Sequence, residues 1–242
     1  MSKKLTKKSQ KIYNFIDNFF QNDFADEICK IINGSQSNKR INIFDIGSYL
    51  GNFSREIKKK LNKKANFHLF EPNPLIKLND FNYNCLGISD KITKRSYYYN
   101  NFFPSSGSGF NKITMNDFFW NLSRKLITFN IFKTFSNFQV QTITMDNFCK
   151  KKNINKVELL KIDTEGHEFH VLKGAKKILN TTKIIQIEIM DNKKLFKKKF
   201  VKINNFLKKY NFKLLKTKKI WSVSILSNIT AMDALYVNKS LI

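Results

Sequence analysis

The sequence predicts an α/β fold, a mostly parallel sheet with helices on both faces. Three observations predict it. From residue 41 onward, short apolar runs of strand length alternate with stretches of helical periodicity. A glycine turn, DIGSYLG at 45–51, joins the first run to the first helical stretch. Further on, VELLKIDTEGHEFHVLKGA (157–175) passes from an apolar run through a turn bearing carboxylates into a helical pattern. Carboxylates at the C-terminal end of a parallel strand face the crevice where such folds bind ligands.

In chain order, residues 1–10 are polar, and residues 11–32 repeat apolar side chains at helical spacing, which predicts one or two amphipathic helices closed by Asn33-Gly34. GSQSNK (34–39) is a linker. INIFDI (41–46) is a strand, and 52–62 a helix after the glycine turn. A second strand, 67–70, stops at Glu71-Pro72, a short helix is expected over 74–79, and a third strand over 82–89. The tyrosine run at 95–99 suits a strand. NFFPSSGSGFN (101–111) reads as a loop, and 113–135 is ambiguous between a helical insertion and a lid. A strand at 139–144 and a helix at 145–152 lead into the 157–175 stretch. KIIQIEI (183–189) is another strand, and 195–210 a lysine-rich helix with Phe196, Phe200, Ile203, Phe206 and Leu207 facing inward. Runs at 212–215 and 234–237 close the sheet. The division expected is an N-terminal helical extension (1–38) and one α/β domain (39–242), with 97–138 as an irregular insertion or lid.

Composition narrows the function. The chain of 242 residues is long enough for one α/β domain with a full core. Its 42% hydrophobic content excludes a disordered polymer. The net charge of +26 comes from 44 Lys+Arg against 18 Asp+Glu. The excess is nearly all Lys, in company with many Asn, Ile and Phe, the mixture an AT-rich genome imposes. Nucleic-acid binding is therefore the less favoured explanation of the charge, which reports attraction but not specificity, and anionic membrane surfaces or anionic glycans are intermediate readings. Cys29, Cys85 and Cys149 are few, scattered and odd in number, which argues against a zinc site or a disulfide framework and suits a reducing cytoplasm. The basic start MSKKLTKKSQ is followed by no apolar signal region, and no apolar run is long enough to span a bilayer.

Three places carry candidate chemistry. The turn from Asp45 through Gly47 and Ser48 to Gly51 brings backbone N–H groups at a helix start close to a ligand, although its spacing is not that of a dinucleotide fingerprint. Glu71 ends the second strand, where a carboxylate accepts the two hydrogen bonds of a ribose diol. Asp163, Glu165, His167 and Glu168 crowd one turn, with Glu188 at the end of the next strand. Such carboxylates hold a divalent cation or act as general base, and an imidazole titrates near neutrality. Glu168 and His170 read as solvated helix residues, and His68 as an ordinary strand residue.

These residues resemble the FkbM-type S-adenosylmethionine-dependent methyltransferases. The resemblance rests on LLKIDTEGHEFHVLKGA (159–175) and IIQIEI (184–189). It extends through the DIGxxxG turn (45–51), FEPxP (70–74), Ser89-Asp90, Thr144-Met145-Asp146 and the late Asp-x-Leu-Tyr-Val (233–237). It covers about 41–237 in the expected order. It implies a doubly wound, Rossmann-like, seven-stranded methyltransferase sheet. It implies that Asp45, Gly47, Ser48 and Gly51 line the methionine end of S-adenosylmethionine, that Glu71 holds the ribose, and that Ser89 or Asp90 lies near the adenine. Asp163 then flanks the reaction crevice, and the acceptor is a hydroxyl of a sugar, glycan or related metabolite. Asp163, Glu165, His167 and Glu188 are the candidate bases or metal ligands. The chain departs from the family pattern at Tyr49, usually Asn, and at Ser48, usually Ala; the bulk of Tyr49 raises the alternative of a methyltransferase-like domain without activity.

Overall fold

The computed structural model describes residues 24–35, 39–101, 107–113, 116–118, 121–122, 135–220 and 227–242. The expected helix over 11–32 is described only in its last part, as α1 (Ala25–Asn33), with Gly34 following it. The rest of that expectation lies outside the described residues, as does most of the 101–135 stretch.

Among the described residues, ten strands form two sheets. The larger contains β1 (Ile41–Ile46), β2 (Ala65–Phe70), β3 (Asn82–Asn84), β7 (Val157–Ile162), β8 (Thr182–Asn192), β9 (Phe212–Ile220) and β10 (Ile229–Asn238). Its order is β3-β2-β1-β7-β8-β10-β9, and only β10 runs against the rest. The 157–175 stretch therefore supplies the sheet's central strand. β7 pairs in parallel with β1 on one side and β8 on the other, and each of its residues is buried. A strand buried on both faces reads as a continuous apolar run, and this one does except at two charged positions, Glu158 and Lys161.

Helices cover both faces as expected. α1 and α2 (Asn52–Lys60) place Phe24, Ile28, Phe53 and Ile57 against Ile43, Leu159 and Ile184. On the other face α3 (Met145–Lys151), α4 (Glu168–Lys173) and α5 (Lys193–Lys208) place Phe148, Leu172, Ile203 and Leu207 against Phe44, Leu160 and Ile185. Losing one of these central leucines costs about 2–5 kcal/mol, the usual range for emptying a packed site.

The smaller sheet is β4 (Gly87–Ile88), β6 (Phe135–Ile143) and β5 (Thr93–Asn100), in the order β4-β6-β5. The two ends of the irregular stretch, 97–100 and 135–138, are thus strands of this sheet. Two expectations need correction. The single third strand over 82–89 is two strands in different sheets. The chain turns at Leu86, whose N–H donates to Asn84 O, so only β3 continues beside β2. The helix expected over 74–79 is absent; the Asn73 side chain accepts from Leu75 N–H and its carbonyl from Ile76 N–H, so the backbone closes one turn and stops.

Candidate functional site

Chain order reverses between β1 and β7. β1, β2 and β3 build outward to one side, and β7 and β8 to the other. The loops leaving β1 and β7 diverge there and open a crevice at the C-terminal edge of the sheet, the position at which open α/β sheets bind ligands. The crevice encloses about 610 Å³ of space open to solvent, and Gly47, Glu71, Asp163 and Glu165 are in its wall.

Three turns meet at its floor. Gly47 N–H donates to Phe70 O at 2.9 Å, and Asp163 N–H donates to Ile46 O at 2.9 Å. Gly47 has φ +78°, and a Cβ there would lie 1.6 Å from Asp163 O. Glycine is required at this crossing because two backbones touch. The turn then carries Tyr49 at φ 43°, an unusual conformation for a bulky side chain, and closes when Gly51 N–H donates to Ser48 O at 2.7 Å.

Glu71 leaves the end of β2 and is only 4% exposed. Its Oε2 accepts from Tyr49 N–H at 3.0 Å. Its Oε1 accepts from Asn73 N–H at 2.8 Å and from the Tyr97 hydroxyl at 3.4 Å. A carboxylate has about four acceptor positions, so three bonds leave room for a donor from a ligand. Burial pushes the Glu71 pKa up to about 7, against the pull of these bonds. Tyr97 belongs to β5, so the small sheet reaches across to the large one at this carboxyl. Beyond it, Leu86, Gly87 and Ile88 form the next part of the wall. Phe110 packs so closely on Gly87 that a Cβ there would lie 2.4 Å from its ring.

Asp45 is wholly buried beneath the turn and is not in the crevice wall. Its Oδ2 accepts from the Ser54 hydroxyl at 2.7 Å, and its Oδ1 lies 3.6 Å from Lys161 Nζ. Ser48 sits on the turn with its hydroxyl buried; Gly51 is the N-cap of α2. Ser89 and Asp90 lie one step past the wall residue Ile88. The Ser89 hydroxyl meets His167 Nε2 at 2.9 Å, and Asp90 is ringed by Arg95, His170 and Lys173 at 3.0, 3.1 and 3.3 Å. Burial raises the Asp90 pKa, but its bonds from His170, Ser89 and Lys173 outweigh this and hold it below the usual carboxylate range. His167 is 1% exposed, stacks on His170 with ring centres 4.6 Å apart, and lies outside the crevice wall. Burial, then the neighbouring His170, push its pKa down to about 3, so it stays neutral.

Glu168, expected to be solvated, is wholly buried. Its Oε1 accepts from Gly166 N–H, and its Oε2 pairs with Lys199 Nζ at 2.7 Å. The i+3 to i+4 spacing that identified the apolar stripe of α4 says nothing about the lysine that α5 brings over it.

Running back from Asp163, register builds a row of carboxylates, of which Asp163 is in the crevice wall while Glu188 and Asp233 lie behind it. Ile162 pairs with Ile187, so Asp163 follows β7 beside Glu188 of β8, and Glu188 is directly opposite Asp233 of β10. Glu165 also lines the crevice, and its Oε1 accepts from Gly107 N–H at 2.9 Å. Burial, then the charges of Asp163, Glu165 and Asp233, hold the Glu188 pKa well above the usual carboxylate range. Lys161 supplies the nearest cation. It is 5% exposed, with Nζ 3.2 Å from Asp163 Oδ2. Burial opposes its charge, but Asp163 and Asp45 outweigh that and hold its pKa up. Among the described residues, no group of three His, Cys, Asp or Glu side chains is arranged to hold a metal ion.

Lys161, Tyr97 and Asp233 were not among the sequence candidates. Lys161 carried a usable signal, a lysine inside an otherwise apolar strand. Asp233 stood within a recognised motif, but its place opposite Glu188 depends on an antiparallel register that no local pattern gives.

The chain matches the methyltransferase FkbM domain over residues 45–214, well over half its length. It belongs to the methyltransferase FkbM family. Comparison with curated proteins finds no match. Among solved structures, it is similar to a methyltransferase FkbM from Methylobacillus flagellatus at 10% identity and a TM-score of 0.45, covering 83% of this chain but only 45% of that one. A precorrin-6y C5,15-methyltransferase from Geobacter metallireducens aligns at 9% identity and a TM-score of 0.37, covering 98% and 91% of the two chains. TYW2 of M. jannaschii, solved in complex with AdoMet, aligns at 12% identity and a TM-score of 0.37, covering 89% and 77%. The Rossmann-like reading of this FkbM chain rests on its own strand order and on the domain match.

Proposed function

We propose that this chain transfers a methyl group from S-adenosylmethionine to a hydroxyl of a sugar, glycan or related metabolite. The observation that carries the reading is Glu71. A buried carboxylate, held by two backbone amides and still able to accept, ends β2 beside the switch-point crevice. The adjoining turn fits the same ligand. Among the described residues the buried Ser48 hydroxyl has no hydrogen-bond partner, and the Gly47 backbone lies open in the crevice wall.

Glu71 would take the ribose diol, and Leu86, Gly87 and Ile88 the apolar purine edge. The bound cofactor would supply an electrophilic methyl on a sulfonium. An acceptor hydroxyl is a poor nucleophile until its proton is removed, and in-line transfer demands close alignment. Asp163 is our choice of base. It lies in the crevice wall, and Lys161 Nζ stands 3.2 Å from its Oδ2. Glu165 would bind the acceptor's remaining hydroxyls, with Glu188 in the layer behind Asp163. His167, neutral and turned away, would support the turn. We place the activity in the cytoplasm, where Cys29, Cys85 and Cys149, all free, stay reduced.

Calorimetry with S-adenosylhomocysteine tests the cofactor half. Wild type should bind, and Glu71→Ala should bind at least about tenfold more weakly, the scale of one lost charge-assisted hydrogen bond. Absence of binding by folded wild type would leave the inactive-domain alternative standing. Once an acceptor is in hand, Asp163→Asn should keep that binding and lose about 10²–10⁴ in turnover.

A further inference from the structure

α5 differs from every other helix described here. It contains seven lysines and no acidic residue over its 16 positions. Lys199 turns inward, where its Nζ meets Glu168, Gly166 O and Met190 O, each at 2.7 Å. The other six, Lys193, Lys194, Lys197, Lys198, Lys202 and Lys208, are exposed. Among the described residues, none of the six has a carboxylate within ion-pair distance. The contrast with α2 is sharp, since its Arg55, Lys59 and Lys60 pair with Asp80, Glu56 and Asp26. Compositional drift toward lysine acts on both helices alike, but among the described residues the exposed lysines of α5 have no acidic partners, whereas Lys59 and Lys60 of α2 do.

The exposed side of α5 is not purely cationic. Leu195 is 54% and Val201 46% exposed, and both stand among the lysines. The aromatic residues of the helix, Phe196, Phe200 and Phe206, pack toward the core instead. A cationic face with aliphatic side chains and no exposed ring suits a phospholipid surface, where lysines meet headgroups and aliphatic groups enter the interface. Single-stranded nucleic acid is held through base stacking on aromatic rings, which this face lacks. The helix runs about 24 Å at the standard rise. It follows the C-terminal end of β8, and Lys199 ties it to the Gly166 turn at the crevice.

We propose that the outer face of α5 docks the protein on a bilayer containing anionic phospholipids. Lying flat on the surface, the helix would bring the crevice edge beside the headgroups. This inference stands on the α5 surface and does not depend on the methyl-transfer reading.

Vesicle flotation tests it, using phosphatidylcholine alone and phosphatidylcholine with phosphatidylglycerol. Wild type should float only with the anionic vesicles, less as salt rises. Each lysine near such a surface is worth about fivefold in binding. Replacing Lys194, Lys197, Lys198 and Lys208 together by Gln should therefore weaken flotation by at least about a hundredfold. A charge-matched control replaces Lys30, Lys58, Lys59 and Lys64, all exposed, the first three on α1 and α2 of the opposite sheet face, and should change it far less. Leu195→Ser with Val201→Ser leaves the charge intact and should also weaken flotation. Equal losses in the two lysine variants would overturn the proposal, because net charge alone would then explain binding. So would a failure to float with anionic vesicles while oligouridylate binds through the same four lysines, which would make the face a nucleic-acid surface. Circular dichroism of each variant separates lost docking from lost folding.

Discussion

The two sides of the crevice treat their acidic groups in opposite ways. On the β1–β2 side, Glu71 is held by backbone amides of its own neighbourhood, and its nearest charge of like sign is a minor influence. On the β7–β8–β10 side, Asp163, Glu188 and Asp233 stand in a row set by strand register, with Lys161 inserted beneath. The first arrangement fixes a position; the second crowds like charges around one buried lysine. Lys161 contacts Asp163 directly, while burial and the neighbouring carboxylates hold the Glu188 pKa well above the usual carboxylate range. Raising the proton affinity of one group in a crowded site is one way acid and base roles are divided. In the proposed reaction, an ordered diol would use the first arrangement and proton removal the second.

Four measurements sharpen or break this contrast. Gly47→Ala attacks the one point where both sides touch. Its Cβ would meet Asp163 O in a φ +78° conformation, so thermal or denaturant unfolding should show a loss of more than about 4 kcal/mol. A milder loss would mean that the two loops can part without disturbing the sheet. Lys161→Met tests the charged side alone. It removes the cation from buried Asp45 and from Asp163, and stability at neutral pH should fall by about 3 kcal/mol, recovering in part as acid protonates the carboxyls. Glu71→Gln tests the other side. One oxygen is replaced by an amide donor that faces a backbone N–H, and affinity for S-adenosylhomocysteine should fall about 10–100-fold.

The smallest effect is in pH. Glu71 has its pKa raised to about 7 from 4.5. Its contribution to stability is fully present below the unfolded value and is lost as pH rises through about 7. Ligand hydroxyls favour the ionised carboxylate, so S-adenosylhomocysteine should bind more tightly as pH climbs from about 6 to 8, by no more than about tenfold per unit. Proton release on binding, read by calorimetry in buffers of different ionisation enthalpy, should vanish in Glu71→Gln. A flat profile in wild type would place the titrating group elsewhere.

The sequence was most readable where local chemistry decides structure. INIFDI became β1 with its expected bounds, and the apolar run before Asp163 became the central strand, because burial on two faces leaves an uninterrupted apolar signature. That Glu71 and Gly47 stand at the crevice was legible for a similar reason, since strand ends and glycine positions are written in neighbouring residues. What distant elements decide was not readable. Glu168 looked solvated until α5 brought Lys199 to it, 31 residues later in the chain. His167 looked like a base until β4 and the stacked His170 enclosed it. Docking of this kind follows from tertiary register, and a lone residue type does not announce it. The helix expected at 74–79 failed for a local reason instead: the Asn73 side chain captured the Leu75 N–H first.

Tyr49 gives the glycine turn a mechanical character. A non-glycine residue at φ 43° costs about 1–2 kcal/mol, roughly what the bond from its N–H to Glu71 returns. The turn is thus a sprung latch whose catch is the carboxyl that would receive the ribose. A diol drawing on Glu71 Oε2 weakens the catch, and the loop gains freedom as the site fills. Asparagine, which tolerates this conformation, would remove the spring and leave the same loop at rest in either state.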